Sequence, residues 1–292
     1  MITFSALGQL GRLGNQLWQY AAMRSLGLRT GDVPLLPATM NETVWHGQRC
    51  ALKEAFEVPL DFTSHAAPQQ FSDSDPQEFS KAFLELTGGV NLHGFFQNPR
   101  YFEGYEDIIK SDLKFRPWLD QQAEAEIERI REKHPGKHLV SVHIRRGDLV
   151  EKVQGSNFFG DAGFLEEDSK FYLYLEKAFV HFDSEDTVYL VFTGGSRENQ
   201  YNADLKWCRE NIDDDMFEIK HVHYVEQNDS LLDFALMSKC DSNILCHSTT
   251  FGWWAGFLNP NPMKLVIAPR FYYVDYPDRE VDGFYPKEFT LI

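Results

Sequence analysis

Several things are scarce in this 292-residue chain, and each scarcity removes a class of function. There are four cysteines (Cys50, Cys208, Cys240, Cys246) with no CxxC spacing, which excludes a disulfide scaffold and a cysteine zinc site. They read as reduced thiols in a cytoplasmic protein, so the sequons at Asn41 and Asn228 are taken as chance matches. Basic residues are outnumbered, 28 against 44 acidic, leaving a net charge of −16. Nucleic acid and anionic membranes select basic surfaces, so neither is expected as a main partner. No apolar run reaches the roughly 18 to 20 residues of a membrane span, so no transmembrane segment is expected. The N-terminus lacks a basic stretch before an apolar one and does not read as a secretory signal. Ten histidines occur without HExxH spacing, there is no Gly-Lys-Ser/Thr phosphate loop, and no repeat or low-complexity tract is found.

What is present is a globular composition, 43% hydrophobic with 14% aromatics, long enough for one large or two ordinary domains. A strand at Ile2–Leu7 leads through the glycine-rich "GQLGRLGNQ" into a helix from Asn15 to about Leu28. The following stretch is less regular: a loop at Ser72–Pro76, a helical pattern at Glu78–Leu86 and a strand at Val90–Phe96. A charged amphipathic helix over Asp120–His134 stops at Pro135-Gly136. Thereafter strands are expected at His138–Ile144, Thr187–Thr193, Glu218–Tyr224, Ser242–Cys246 and Lys264–Ala268. Helices alternate with them at Glu167–His181, Ala203–Asn211, Ser230–Lys239 and Thr250–Leu258. That alternation predicts a parallel, doubly wound α/β sheet. Ligands of such sheets bind beyond the carboxyl ends of the strands, so functional residues belong just after each strand.

Three strand ends stand out. Ile144 is followed by Arg145, Arg146, Gly147 and Asp148; Phe192 by Thr193 and two glycines; Cys246 by His247, Ser248, Thr249 and Thr250. A Ser-Thr-Thr run before a helix is a capping signal, and its backbone N–H groups also suit a phosphate. Beside an arginine pair, both readings stand. The Arg146-Gly147-Asp148 tripeptide allows a different class, a non-catalytic adhesion or carbohydrate-binding protein. The run Asp213–Asp215 sits between a helix and a strand and reads as a solvated turn rather than a metal site. Trp253, Trp254 and Phe257 at helical spacing read as core rather than as a sugar platform.

Five strings together, "GRLGNQLWQYAA", "HGFFQNPRYF", "VHIRRGD", "DFALMSKC" and "HSTTFGWWAGFL", resemble the α-1,2-fucosyltransferases of glycosyltransferase family eleven in order and spacing. The resemblance implies a GT-B-like α/β fold of two facing Rossmann-like domains with parallel sheets. We place an acceptor-side domain at 1–135, a GDP-fucose domain at 136–275 and a segment 276–292 packing back on the first. It further implies an inverting, metal-independent transfer of L-fucose from GDP-fucose to the 2-hydroxyl of a galactose-terminated glycan, with no cofactor. Transfer with another linkage or another GDP-sugar is the near alternative.

By the same resemblance, Arg145 would meet the diphosphate and His143 the ribose or phosphate. Asp233 would bind guanine, Ser248, Thr249 and Thr250 the phosphates and base, and Asn15 the diphosphate from the other domain. Thr193 is carried as a donor contact, although "TGGSREN" departs from the family there, as does Leu149 after the arginine string. Asp148 is assigned to catalysis, as base or as a brace for the arginines; Glu151, Asp161 and Glu166–Asp168 are unranked alternatives for the base. Arg146, on the opposite strand face from Arg145, is expected in a structural ion pair.

Overall fold

The computed structural model describes residues 1–42, 44–45, 48–146, 170–194, 201–226, 229–270 and 283–292. The chain divides into two compact units, Met1–Leu119 with Val281–Pro286, and Asp120–Glu280 with Lys287–Ile292.

The first unit contains β1 (Ile2–Thr3), α1 (Leu13–Thr30) and β2 (Pro34–Pro37), then a hairpin of β3 (Val44–Trp45) and β4 (Gln48–Arg49). The short helix α2 (Leu52–Ala55), β5 (Phe62–Thr63), β6 (Gln69–Ser72), β7 (Val90–His93) and α3 (Glu106–Asp112) follow. Its five-stranded sheet runs β5-β2-β1-β7-β6, every pair parallel. The first strand is shorter than the sequence suggests, and the helical pattern at 78–86 is realised only as a 3-10 turn, Lys81–Glu85. The helix α1 is buried nearly all round, every residue from Gln16 to Met23 included, with Leu17, Trp18, Tyr20, Ala21 and Leu26 fully inaccessible. Trp18 packs at 5.8 Å on Phe102 and 6.0 Å on Phe284, so the returning segment 283–286 completes this core.

The helix α4 (Pro117–Lys133) lies wholly before the expected boundary at 135, yet from Asp120 on it groups with the second unit. Two ion pairs explain this: Arg131 holds Asp241 at 2.8 Å, and Lys239 holds Asp120 at 2.7 Å.

In the second unit follow β8 (His138–Ile144), α5 (Lys170–Phe179), β9 (Thr187–Thr193), α6 (Tyr201–Asn211), the short α7 (Asp214–Phe217) and β10 (Val222–Tyr224). The chain continues through α8 (Ser230–Lys239), β11 (Ser242–Ile244), α9 (Thr250–Leu258), β12 (Val266–Ala268) and β13 (Thr290–Leu291). The sheet order is β10-β9-β8-β11-β12-β13, again all parallel. Renumbered within the unit this is 3-2-1-4-5-6, the doubly wound order, with its reversal between β8 and β11. Being central, β8 and β9 are buried on both faces, which explains the continuous apolar character of β9. Beneath the sheet, Asn243 donates to Ser141 Oγ (2.7 Å) and Asn259 donates to Asn243 Oδ1 (2.8 Å) in full burial.

The aspartate run is an exposed turn, wound into one short helix. Asp213 caps α7, accepting from Met216 N at 3.0 Å, while Asp214 and Asp215 occupy its first turn. Trp253, Trp254 and Phe257 are buried and stack on one another, as a core cluster should.

Candidate anion site at the strand crossover

At the carboxyl ends of β8 and β11, where the strand order reverses, the chain places His143, Arg145, Ser248 and Thr249 together. Side chains alternate along a strand, so His143 and Arg145 leave the same face of β8. The guanidinium of Arg145 donates through Nη1 to the Ser248 carbonyl, and its backbone N–H points at Cys246 Sγ, 3.4 Å away. Ser248 adopts φ +50°, a conformation uncommon outside glycine, which turns that carbonyl toward the arginine.

Thr249 is the N-cap of α9, its hydroxyl accepting from Gly252 N at 3.3 Å. The same oxygen lies 3.5 Å from His143 Nδ1. The ring of His143 is buried against the first turn of α9, 5.7 Å from Phe251, and a Cβ on Gly252 would fall 2.8 Å from Nδ1. Only a glycine permits that approach. Burial first, and then the nearby Arg145 charge, push the His143 pKa down to about 3. His143 is therefore neutral at ordinary pH and supports the helix start rather than adding charge.

His247 behaves alike: packed edge-on against Tyr174 at 5.0 Å, it has its pKa pushed down to about 3 by burial. Tyr174, from α5, donates to the Leu245 carbonyl at 2.6 Å and so fixes the loop between β11 and α9. Thr193 closes the other side. Its hydroxyl donates to the Ile144 carbonyl at 2.9 Å, so it braces the strand end that carries Arg145.

Arg146 leaves the opposite face, as expected. Its Nε donates to Asp204 Oδ1 at 3.2 Å and its guanidinium stacks 3.8 Å above the Trp207 ring. Only 12% of that side chain is exposed, so the arginine of the Arg-Gly-Asp tripeptide is occupied inside the fold and is not an adhesion signal. Asp204 and Trp207 were not among the residues expected here. An acid and an aromatic at i and i+3 on one helix are ordinary surface patterning, and nothing in the sequence pairs them with Arg146.

Asp233 lies in the first turn of α8, whose N-terminus shares the carboxyl edge of the sheet. Its neighbour Phe234 packs edge-on against Phe251 at 5.1 Å, linking α8 to the start of α9 and to His143. Thr250 is the first helical residue of α9. Asp148, Gly147, Leu149, Glu151, Asp161, Glu166–Asp168 and the 195–200 part of "TGGSREN" lie outside the described residues. Among the described residues no cluster of three or more His, Cys, Asp or Glu could hold a metal ion, and no helix is long and apolar enough to cross a membrane.

Asn15 belongs to the first unit. Its Oδ1 accepts from Gln97 Nε2 at 2.7 Å, and Gln97 in turn accepts from Gln77, a chain of buried amides. Gly11, at φ +80°, leaves the space Asn15 fills, since a Cβ there would sit 2.1 Å from Nδ2. Gln19 donates to the carbonyls of Leu10 (2.9 Å) and Gly94 (3.1 Å), pinning the glycine-rich loop to "HGFFQNPRYF".

The Arg145 guanidinium and the start of α9 thus meet at the crossover of a doubly wound sheet, the place where open α/β sheets bind their ligands. The chain belongs to glycosyl transferase family 11, whose model matches residues 6–288. It is 26% identical over 258 residues to galactoside alpha-(1,2)-fucosyltransferase 1 of Bos taurus, covering 85% of this chain and 64% of that protein. The chain thus spans just under two thirds of the length of that relative. Among solved structures, NodZ alpha-1,6-fucosyltransferase soaked with GDP-fucose superposes with a TM-score of 0.54 at 14% identity, covering 95% of this chain and 97% of that one. POFUT1 in complex with GDP superposes with a TM-score of 0.51 at 13% identity, covering 90% and 96%. At those identities the likeness is one of fold, an α/β protein with two parallel sheets.

Proposed function

We propose that this chain is an inverting fucosyltransferase that moves L-fucose from GDP-β-L-fucose to the 2-hydroxyl of a terminal galactose. The observation that carries the reading is the convergence of Arg145 and the capped start of α9 at the strand crossover. The Bos taurus relative, a galactoside alpha-(1,2)-fucosyltransferase, suggests the sugar and linkage.

Departure of GDP builds negative charge on its diphosphate, and that charge must be met as it develops. A guanidinium suits it, being permanently charged and presenting a planar fork to phosphate oxygens. The first-turn N–H groups of α9 add the positive end of the helix dipole. In this reading Arg145 and α9 take the place that a cation holds in other transferases, so no metal or cofactor is needed. Fucose then acquires oxocarbenium character and the galactose hydroxyl attacks the opposite face. Asp233 at the head of α8 is assigned to guanine, and Ser248, Thr249 and Thr250 to phosphates and base. His143 and Thr193 support the contacts of Thr249 and Arg145, and Asn15 is assigned to the diphosphate. Asp148 takes the acceptor proton or braces the arginines. A cytoplasmic setting fits the four cysteines, all buried as free thiols.

The experiment is incubation with several GDP-sugars and a panel of galactose-terminated acceptors, with the product linkage read by NMR. An α-1,2 product formed only from GDP-fucose, and undiminished by EDTA, is expected. Because NodZ, an alpha-1,6-fucosyltransferase, shares the fold, a product of another linkage is the second reading. Arg145→Ala should lower kcat/KM by about 10²- to 10³-fold, the loss typical of one charge-stabilising donor. Activity like the wild type would remove Arg145 from the diphosphate.

A further inference from the structure

Two cavities among the described residues of the first unit are separated by their positions on its sheet. The larger, about 400 Å³, is lined by Gly31–Leu35 and Pro59–Asp61, where β2 and β5 begin. It therefore lies at the amino ends of the strands, and its arginine, Arg24, is already held by Asp112 at 2.7 Å. The smaller, about 120 Å³, is formed by Thr3 and Ser5 after β1, Pro37–Thr39 after β2, and Thr63–Ala66 after β5. That is the carboxyl edge, where open α/β sheets bind ligands.

The chemistry of this notch is specific. Its polar lining consists of hydroxyls and one imidazole, with no carboxylate, ammonium or guanidinium. The floor is held in place. Thr3 Oγ1 donates to Asn91 Oδ1 (2.9 Å) and accepts from Ala67 N (2.9 Å), while Asn91 donates to Ser5 Oγ (3.0 Å). Since that bond uses an acceptor position of Ser5, the exposed hydroxyl keeps its own proton to donate. Thr63 Oγ1 accepts from His65 N at 3.1 Å in a tight turn, and Ser64 Oγ lies 3.3 Å from His65 Nδ1 at the rim. Hydroxyls and imidazole nitrogens offer both donors and acceptors, which matches a ligand whose surface is a ring of hydroxyl groups. With no carboxylate, ammonium or guanidinium in its lining, the notch lacks the usual partners of a phosphate or an ammonium.

We propose that the notch is a subsite for one uncharged pyranose unit of the acceptor glycan, read by Ser5, Ser64 and His65. This rests on the glycosyl-transfer reading above. Its size suits one edge of a single sugar, so it selects the acceptor by one residue rather than by a long chain.

The probe is lactose, followed by saturation-transfer NMR on the full chain and by transfer kinetics. Two variants are compared, the double substitution His65→Ala with Ser64→Ala, and Ala66→Trp, which fills the notch while removing no polar group. Melting temperature confirms that each is folded. We expect loss of the lactose signal and a rise of about tenfold or more in lactose KM, with GDP-fucose KM unchanged. Lactose signal and KM like the wild type in both variants, or no lactose signal in the wild type, would overturn the subsite. Transfer to lactose with an unaltered KM in the variants would sink the notch and leave the transferase reading standing. A lactose signal lost in the variants of a chain that transfers nothing would do the reverse.

Discussion

Two buried imidazoles beside Arg145 make the stability of the second unit depend on pH in a direction that can be stated beforehand. His143 and His247 both have their pKa pushed down to about 3, chiefly by burial, against about 6.5 in an unfolded chain. Above pH 6.5 neither state carries the protons and nothing is lost. As pH falls below 6.5 the unfolded chain binds protons that the folded one refuses, so stability declines with acidity until the folded pKa is reached. At about pH 5.5 each ring is roughly nine-tenths protonated only when unfolded, which removes about 1 to 1.5 kcal/mol apiece and about 3 kcal/mol together. That is a large share of the roughly 5 to 15 kcal/mol that holds a domain folded. The assay is urea unfolding at about pH 7.5 and pH 5.5, for the wild type and for the double variant His143→Gln with His247→Gln. Other histidines shifted down by burial, such as His134 and His223, contribute equally to both chains and cancel. The double variant should lose about 3 kcal/mol less than the wild type between the two pH values. Equal losses would refute the claim that these rings are neutral in the fold.

Arg146→Ala should destabilise by about 3 kcal/mol in urea unfolding, because it breaks the buried ion pair with Asp204 and removes the stack on Trp207. Gly252→Ala drives a methyl to 2.8 Å from His143 Nδ1 and must displace the start of α9, so KM for GDP-fucose should rise at least several-fold in steady-state kinetics while the fold survives. Lys264→Met removes donors to the carbonyls of Gly256 (3.0 Å) and Asn259 (2.6 Å) at the far end of α9, and should lower stability by about 2 kcal/mol in the same unfolding assay.

The two halves of the chain were not equally readable, for a physical reason. In the second unit the central strands β8 and β9 run for seven residues and are buried on both faces, and both were placed to the residue. The first unit builds its sheet from strands of two to four residues, too short to show any period, and β2, β5 and β6 went unrecognised. The site followed the same rule. Arg145 directly follows β8, and Ser248 and Thr249 lie in the connection from β11 to α9, positions that local pattern marks. The close approach at Gly252 and the Asp204–Trp207 clamp depend on contacts across the fold, for which local pattern carries no signal. The reach of α4 into the second unit was missed similarly, since Arg131–Asp241 joins residues far apart in the chain.

Arg145 and the carbonyl of Ser248 come from strands that meet only by pairing, with Ser242 opposite Val140 and Ile244 opposite Val142. An offset of one residue would turn every side chain to the wrong face and betray itself at once. An offset of two would not: the apolar faces would still match, yet Ser248 would slide roughly 6.6 Å along the strand axis, out of reach of the guanidinium. Hydrophobicity is blind to that error. What detects it is polar and exact in its partners: Asn243 on Ser141, His138 on Ser242 at 2.9 Å, and Asp241 receiving Leu139 N at 2.8 Å. These bonds act as a vernier between β8 and β11, and the alignment of the anion site is read off them.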